Sequence, residues 1–551
     1  MTPNASMTSL ADTDDPGGLA VRQLLIGQEH YAAGRIEDAI SAYLRGLAVV
    51  ADGGPSGPVA VETISELHFK LGNACMRQGD LVFATANYQA ALRLSPRLTA
   101  CWCNLGNARL ESGEPQEAIA LYQRALTLEP DHWPSRTNLA QALLAAQQHV
   151  VAKALLAELV QERPRDGQLR NQLGKACFAL NQLAEALESF QQAVSLNAKD
   201  SDSFYWIGGI SQRIGDDEAA QAAYVEAVRI NPLIRRPAAK SPAAFRVLAL
   251  FAPFAGNLPT QYLFKDAVYD TDTLALFAGG EYDLEPLKQD VQVVVNLVSD
   301  ADQGEAVLPL VADLVGQLGK PTINCPLKVQ STTRDAVAQL LDGIPACRVP
   351  KVLRHKAGAG FSLAALRAHF PGSRVMLARP VGTHGGDDFE MFEDVAMLPA
   401  FLAQRPDTDH YLIEYIDYRS ADGNFRKYRF IFVDGQILPY HLAIGSHWKL
   451  HHDSTDMASQ PWTQQEELAF LTDPTTVFDA RHYQALRVIR ERTGLDYFGI
   501  DCGLDRSGDL VVFEVNASML VHDGNEQFPY KAPFVHRIKT TFDEMLGKFA
   551  A

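Results

Sequence analysis

Between about residue 21 and residue 232, apolar and small residues recur with helical spacing, in paired amphipathic segments that repeat every 34 positions, as from Gly72 to Gly106. A small residue returns at Gly72, Gly106, Ala140, Gly174 and Gly208, and an alanine at Ala84, Ala118, Ala152, Ala186 and Ala220. A large side chain follows each alanine on the next helical turn: Tyr88, Tyr122, Leu156, Phe190 and Tyr224. Pro96, Pro130, Pro164 and Pro232 close four of these units, and Ala198 takes that place in the other. The pattern predicts antiparallel helical hairpins. The small residue lets two backbones approach, the large one fills the space beside it, and proline stops the second helix. A degenerate copy with Gly27, Ala39 and Tyr43 comes first, set off by an insertion around DGGPSGP.

After Pro232 the pattern changes. The Pro/Ala-rich RRPAAKSPAA predicts a linker over 233–243. Short apolar runs then alternate with a helical stretch, in FRVLALFA, DTLALF, VQVVVNLV, AVLPLVADLVGQLG and KPTINCP, which predicts a parallel α/β layer over 244–340. Longer runs joined by tight turns, such as KYRFIFVDGQILPYHLAIG and GLDYFGIDCGLD, predict an α+β region with antiparallel sheets over 341–548. Residues 1–20 read as a disordered tail without the features of a signal peptide.

Composition narrows the class. At 551 residues the chain exceeds what one core organises, so it is expected to be multidomain. A net charge of -17 argues against a general binder of nucleic acid or anionic membranes. No apolar run reaches the roughly 18 residues that span a bilayer. The 7 cysteines are scattered, without a CxxC pair, which fits a reducing compartment and a cytoplasmic location.

Candidate chemistry lies in both halves. Asn73, Asn104, Asn107, Asn138, Asn171 and Lys175 are polar at the phase of the first helix of each hairpin, and so are candidates to line a groove. Trp102, Trp133 and Trp206 read as core. In RPVGTHGGDDFEMF, Gly382, His384, Gly385 and Gly386 lie between two strand-like segments. A glycine-rich hairpin tip can cradle phosphates with backbone N–H groups. No helix follows it, which excludes a Rossmann or Walker loop. Glu514 and Asn516 are two apart on a strand and share a face, with Asp501 on the preceding strand. Two carboxylates and an amide carbonyl are hard oxygen donors that suit Mg2+ shared with nucleotide phosphates. Glu414 and Ile416 precede a basic strand carrying Arg426, Lys427 and Arg429, a candidate clamp for a polyanion.

The hairpin repeats, including Trp102-x-x-Leu105-Gly106, resemble the tetratricopeptide repeat (TPR). The resemblance implies a right-handed superhelix whose concave groove takes a protein or peptide partner. From roughly Phe245 to the C-terminus, the glycine hairpin, the EYID segment and the closing E-V-N resemble, in order, the ATP-grasp superfamily in its RimK and glutathione-synthetase-like branch. The implied architecture is an all-α TPR superhelix, an α/β pre-ATP-grasp domain and an α+β ATP-grasp domain.

The same resemblance implies ATP and two Mg2+ ions as cofactors, with Asp501, Glu514 and Asn516 on metal. It places Arg334, Arg379, Gly382, His384, Gly385 and Gly386 on the phosphates, and Glu414 and Ile416 at the adenine. Arg379, Arg429 and Lys449 become the cations of the reaction centre. Arginine stands at 334 and 379 where the family has lysine, which keeps the charge but changes the geometry. The expected activity is carboxylate–amine ligation through an acyl phosphate, on small-molecule or peptide substrates, with the repeats recruiting a protein or peptide. The alternative is a nucleotide-binding scaffold that does not turn over.

Overall fold

The computed structural model describes residues 15–51, 58–239, 242–277, 282–360, 362–383, 388–450 and 455–551. The chain divides after Ile230 into two compact units.

The first unit consists, among the described residues, of helices paired as hairpins. These are α1 (Pro16–Ala32) with α2 (Ile36–Ala51), α3 (Pro58–Gln78) with α4 (Leu81–Leu94), and α5 (Thr99–Glu111) with α6 (Pro115–Leu128). They continue with α7 (Trp133–Ala145) and α8 (His149–Glu162), α9 (Gly167–Ala179) and α10 (Leu183–Leu196), and α11 (Ser201–Arg213) and α12 (Asp217–Ile230). The glycines of the repeat lie against the large residue of the partner helix. A Cβ on Gly106 would meet the Tyr122 ring at 2.6 Å, and one on Gly174 the Phe190 ring at 2.8 Å. Closeness therefore selects glycine here, and the period in the sequence is the period of these contacts. Asp80, Asp166 and Asp200 cap helices by accepting backbone N–H bonds. The three tryptophans are half-buried, Trp206 stacking on Phe190 at 5.6 Å.

The groove candidates have other partners. Asn104 donates to Asn73 at 2.7 Å, and Asn138 to Asn107 at 2.7 Å. The same two acceptors take the hydroxyls of Tyr88 at 2.9 Å and Tyr122 at 2.7 Å. Asn171 donates to Asp202 and Ser203, and Lys175 pairs with Asp202 at 2.7 Å. These six residues stitch the second hairpin to the third, the third to the fourth and the fifth to the sixth; they are joints of the array and not a wall of uncommitted polar groups.

Among its described residues the second unit holds three sheets. The first, in order β1-β3-β2-β4-β5, joins β1 (Leu233–Ile234), β2 (Arg246–Phe251), β3 (Asp270–Ala275), β4 (Val293–Asn296) and β5 (Thr322–Ile323). β2 to β5 run parallel and β1 is antiparallel at the edge. Helices α13 (Glu285–Asp290), α14 (Leu308–Leu318), α15 (Pro326–Val329) and α16 (Arg334–Leu340) follow in the connections. The Pro/Ala stretch predicted as a linker is fastened along this sheet. Leu233 pairs with Leu274, Thr271 N donates to Arg236 O at 2.9 Å, and Ala239 N to Ala267 O at 2.8 Å. An edge tolerates prolines, because their missing N–H groups are not asked for.

The second sheet is antiparallel, in order β7-β10-β8-β9: β7 (Val352–His355), β8 (Met376–Pro380), β9 (Glu390–Phe392) and β10 (His410–Glu414). Helices α17 (Leu363–His369) and α18 (Leu398–Ala403) accompany it. The third has the order β12-β11-β13-β14-β6. It joins β6 (Cys347–Arg348), β11 (Phe425–Val433), β12 (Gln436–Gly445), β13 (Tyr497–Leu504) and β14 (Leu510–Asn516). All its pairs are antiparallel except that of β6 with β14. Helices α19 (Pro461–Thr472), α20 (Ala480–Thr493) and α21 (Ala532–Ala550) complete the unit. One core runs between the first and third sheets, from Leu248, Leu250 and Val294 to Phe430, Phe498 and Val512. A second packs Val247, Ala249 and Val293 with Ile431, Tyr497 and, from α21, Phe542. Among the described residues no helix is long and apolar enough to cross a membrane. The seven cysteines are free thiols.

Candidate functional site

A cleft of about 550 Å³ opens within the second unit, lined by the loop after β2, by the second sheet and by one face of the third. That size suits a small-molecule ligand, for which clefts of about 300–1,000 Å³ are usual.

The third sheet supplies the charge. Arg429 on β11 lies directly opposite Asp501 on β13, and Asp501 directly opposite Glu514 on β14. Residues opposite one another in antiparallel strands project from the same face. Arg429 donates to both oxygens of Asp501, Nε at 2.6 Å and Nη2 at 2.9 Å, and Lys427 Nζ lies 3.1 Å from the same carboxylate. Arg334, at the start of α16, donates to Glu514 at 2.5 Å. Asn516 Oδ1 accepts the backbone N–H of Ser518 at 2.6 Å, and its amide reaches Glu514 at 3.3 Å.

Burial works against ionisation of both carboxyls, but cations outweigh it. Arg429 and Lys427 hold Asp501 well below the usual carboxylate range, and Arg334 with Arg379 brings Glu514 down to about 2. Against these two carboxylates and Glu414 stand Arg334, Arg379, Lys427, Arg429 and the exposed Lys449, five cations to three carboxylates. The surplus is positive, so the cleft is matched to an anion.

The other wall is apolar. Leu377, Ile413 and Ile416 form a slot with Phe389, Tyr415 and Trp448. Phe389 meets Trp448 edge-on at 5.2 Å. Such a slot accepts a flat ring system. Glu414 ends β10 beside it and accepts the Lys351 N–H at 3.2 Å.

Arg379, on β8, is 5% exposed. It donates to the carbonyl and hydroxyl of Thr383, in the loop between β8 and β9. Gly382 in that loop has φ 74°, a conformation that favours glycine, and its carbonyl accepts from Gln303 at 2.8 Å.

Of the residues singled out from the sequence, Arg334, Arg379, Glu414, Ile416, Arg429, Lys449, Asp501, Glu514 and Asn516 line this one cleft. Gly382 lines an adjoining cavity of about 70 Å³, shared with Arg334, Arg379, Glu514 and Asn516. His384, Gly385 and Gly386 lie outside the described residues. Arg426 departs from the expected clamp: it pairs with Asp422 and Glu466 on the opposite face of β11.

Sequence reasoning missed the contribution of the parallel sheet. Asn257 and Gln303, in the loops after β2 and β4, also line the cleft. β2 has β3 on one side and β4 on the other, so the order reverses between these two loops, where open α/β sheets form a crevice. That signal is visible only once strand order is known.

Models of the tetratricopeptide repeat match residues 24–99, 109–175, 167–200 and 201–232. The first unit is thus a TPR array, a fold suited to binding a protein or peptide. No curated protein matches the chain. Among solved structures, MamA (41-end) from Desulfovibrio magneticus RS-1 is 22% identical over 30% of this chain and 94% of its own, with TM-score 0.29. YrrB, titled a TPR protein with an unusual peptide-binding site, is 23% identical over 30% of this chain and 86% of its own, with TM-score 0.27. Likeness at this level says nothing about mechanism or partner.

Proposed function

We propose that the second unit binds ATP in this cleft and works as an ATP-grasp-type carboxylate–amine ligase, with the TPR array recruiting a protein or peptide substrate. The observation that supports it most is the joining of a cationic cluster, Arg334, Arg379, Lys427 and Arg429 around Asp501 and Glu514, to an apolar aromatic slot in one cavity. A nucleotide triphosphate has that pairing of a flat base with a multiply charged tail.

In this reading the slot beside Glu414 and Ile416 takes adenine, and Arg334 and Arg379 hold the phosphates. Asp501, Glu514 and Asn516 fit a divalent cation by donor chemistry: hard oxygens on adjacent strands, both carboxyls ionised. The two carboxylates also serve Arg429, Lys427 and Arg334, so a cation there would share them with guanidinium and ammonium groups. Bound magnesium supplies neutralisation of phosphate charge. A substrate carboxylate oxygen attacks the γ-phosphorus, and the bond to the β-phosphate oxygen breaks to release ADP. An amine then attacks the acyl carbon, losing a proton as phosphate leaves. Arg429 and Lys449 hold the acyl phosphate, so the protein's part is positioning and charge. Tethering a recruited peptide to the same chain raises its effective concentration at the cleft.

A second reading, a nucleotide-binding scaffold without turnover, is favoured by one observation. Arg334 stands where the family resemblance calls for lysine, and its guanidinium is bonded to Glu514. ADP release from Mg-ATP against a panel of amino acids and peptides separates the two. Acceptor-dependent ADP, abolished by Glu514→Gln, supports the ligase. Saturable ATP binding with no ADP under any acceptor supports the scaffold, and absence of ATP binding removes both.

A further inference from the structure

The rung that carries the cleft's charge extends one strand further, to a residue the proposed chemistry does not use. β12 pairs with β11 so that His441 lies directly opposite Arg429, and the register shifts at Arg429/Phe430, so that Phe430 faces Pro439. Bulges of this kind re-aim a side chain next to a site. The irregularity sets His441, Arg429, Asp501 and Glu514 in one row across the sheet, of which the last three line the cleft.

Behind His441 lies a buried polar cluster drawn from three elements. Glu467 of α19 is 0% exposed, and its Oε1 lies 2.5 Å from His441 Nδ1. The same carboxylate accepts the Leu442 N–H at 3.1 Å and the Tyr530 hydroxyl at 2.6 Å. Lys531, the residue before α21 and 5% exposed, reaches both His441 Nδ1 at 3.0 Å and Glu467 at 3.3 Å. Burying a glutamate and a lysine is costly, and apolar residues of similar size would hold three elements together as well. What apolar residues would not do is fix the orientation of one imidazole beside an arginine. Burial, and after it the Lys531 and Arg429 charges, holds His441 down at about 4, so the ring beside Arg429 is neutral near pH 7 and does not repel it.

We propose that His441, set by Glu467 and Lys531, is a positioning residue for Arg429, and through it for the anion end of the cleft. The Arg429–Asp501 contact is then aimed from both sides, by Asp501 on β13 and by His441 on β12. This rests on the nucleotide reading only for what the cleft binds; the aiming of Arg429 is a property of the protein alone.

The test is a double-mutant cycle on the full chain, built from Arg429→Gln and Asp501→Asn and read as the shift in thermal unfolding midpoint. It is carried out with His441 intact and again with His441→Leu. The proposal expects the non-additive part of the Arg429–Asp501 shift to fall by half or more when His441 is replaced. An unchanged non-additive part overturns it, because a residue that merely stabilises the fold lowers all four midpoints and leaves their coupling alone. Should His441→Leu fail to fold, the isosteric Glu467→Gln releases the same ring and must lower the same coupling. A second arm reads Mg-ATP affinity, in which His441→Leu weakens binding about fivefold in the native background and not at all beside Arg429→Gln. If ATP fails to bind the unaltered chain, the nucleotide reading falls, and the ligand-free coupling still decides the role of His441.

Discussion

Arg429 makes a two-point bond to the nearly buried Asp501. Replacing Asp501 by asparagine leaves a guanidinium and the Lys427 ammonium without their counter-charge. The expected cost is about 3 kcal/mol, read by chemical denaturation of the full chain. His441 makes a separate prediction about acid. Its pKa falls from an ordinary 6.5 to about 4 on folding. Between those values the unfolded chain binds the proton and the folded chain does not, so stability is full above pH 6.5 and declines toward pH 4. The expected loss is on the order of 2–3 kcal/mol, and His441→Leu removes that slope. Asp501, Glu514 and Asn516 were legible in the sequence because alternation along two strands places them on one face. Glu467 and Lys531 were not, because they meet His441 from 26 and 90 positions away, and a lone acid or base in a helical stretch reads as a solvated one.

The helical hairpins were legible because their spacing constraint recurs. Each small residue answers one ring, so the period appears in the letters. Gly106→Ala should push its Cβ into Tyr122 and destabilise the first unit by about 1–3 kcal/mol in thermal or urea unfolding. The asparagines teach the opposite lesson. They read as groove residues, but Asn104 and Asn138 each bond the asparagine 31 positions away in the neighbouring hairpin, a distance that one repeat does not reveal. Asn107→Ala leaves the Tyr122 hydroxyl and the Asn138 amide without their acceptor. It should therefore cost about 1–3 kcal/mol of stability, measured by urea unfolding of the full chain. Among strands, β1 was the element misread, since Leu233–Ile234 is too short to show alternation and runs directly into a Pro/Ala stretch.

At the scale of the molecule, a binding array precedes a unit whose cleft combines a positive floor with an aromatic wall. Multidomain organisation followed from length and from the change of period near residue 232. The joining of Asn257 and Gln303 to the cleft did not, because strand order is set by pairing between distant segments. In the proposed function this cleft takes a nucleotide with its phosphates over Arg334 and Arg379. Calorimetric titration of the full chain with ATP and Mg2+ tests it most directly. One nucleotide is expected to bind per chain, with an affinity that Arg379→Gln lowers at least tenfold, about 1.4 kcal/mol. No heat and no rise in unfolding midpoint at millimolar ATP would contradict it.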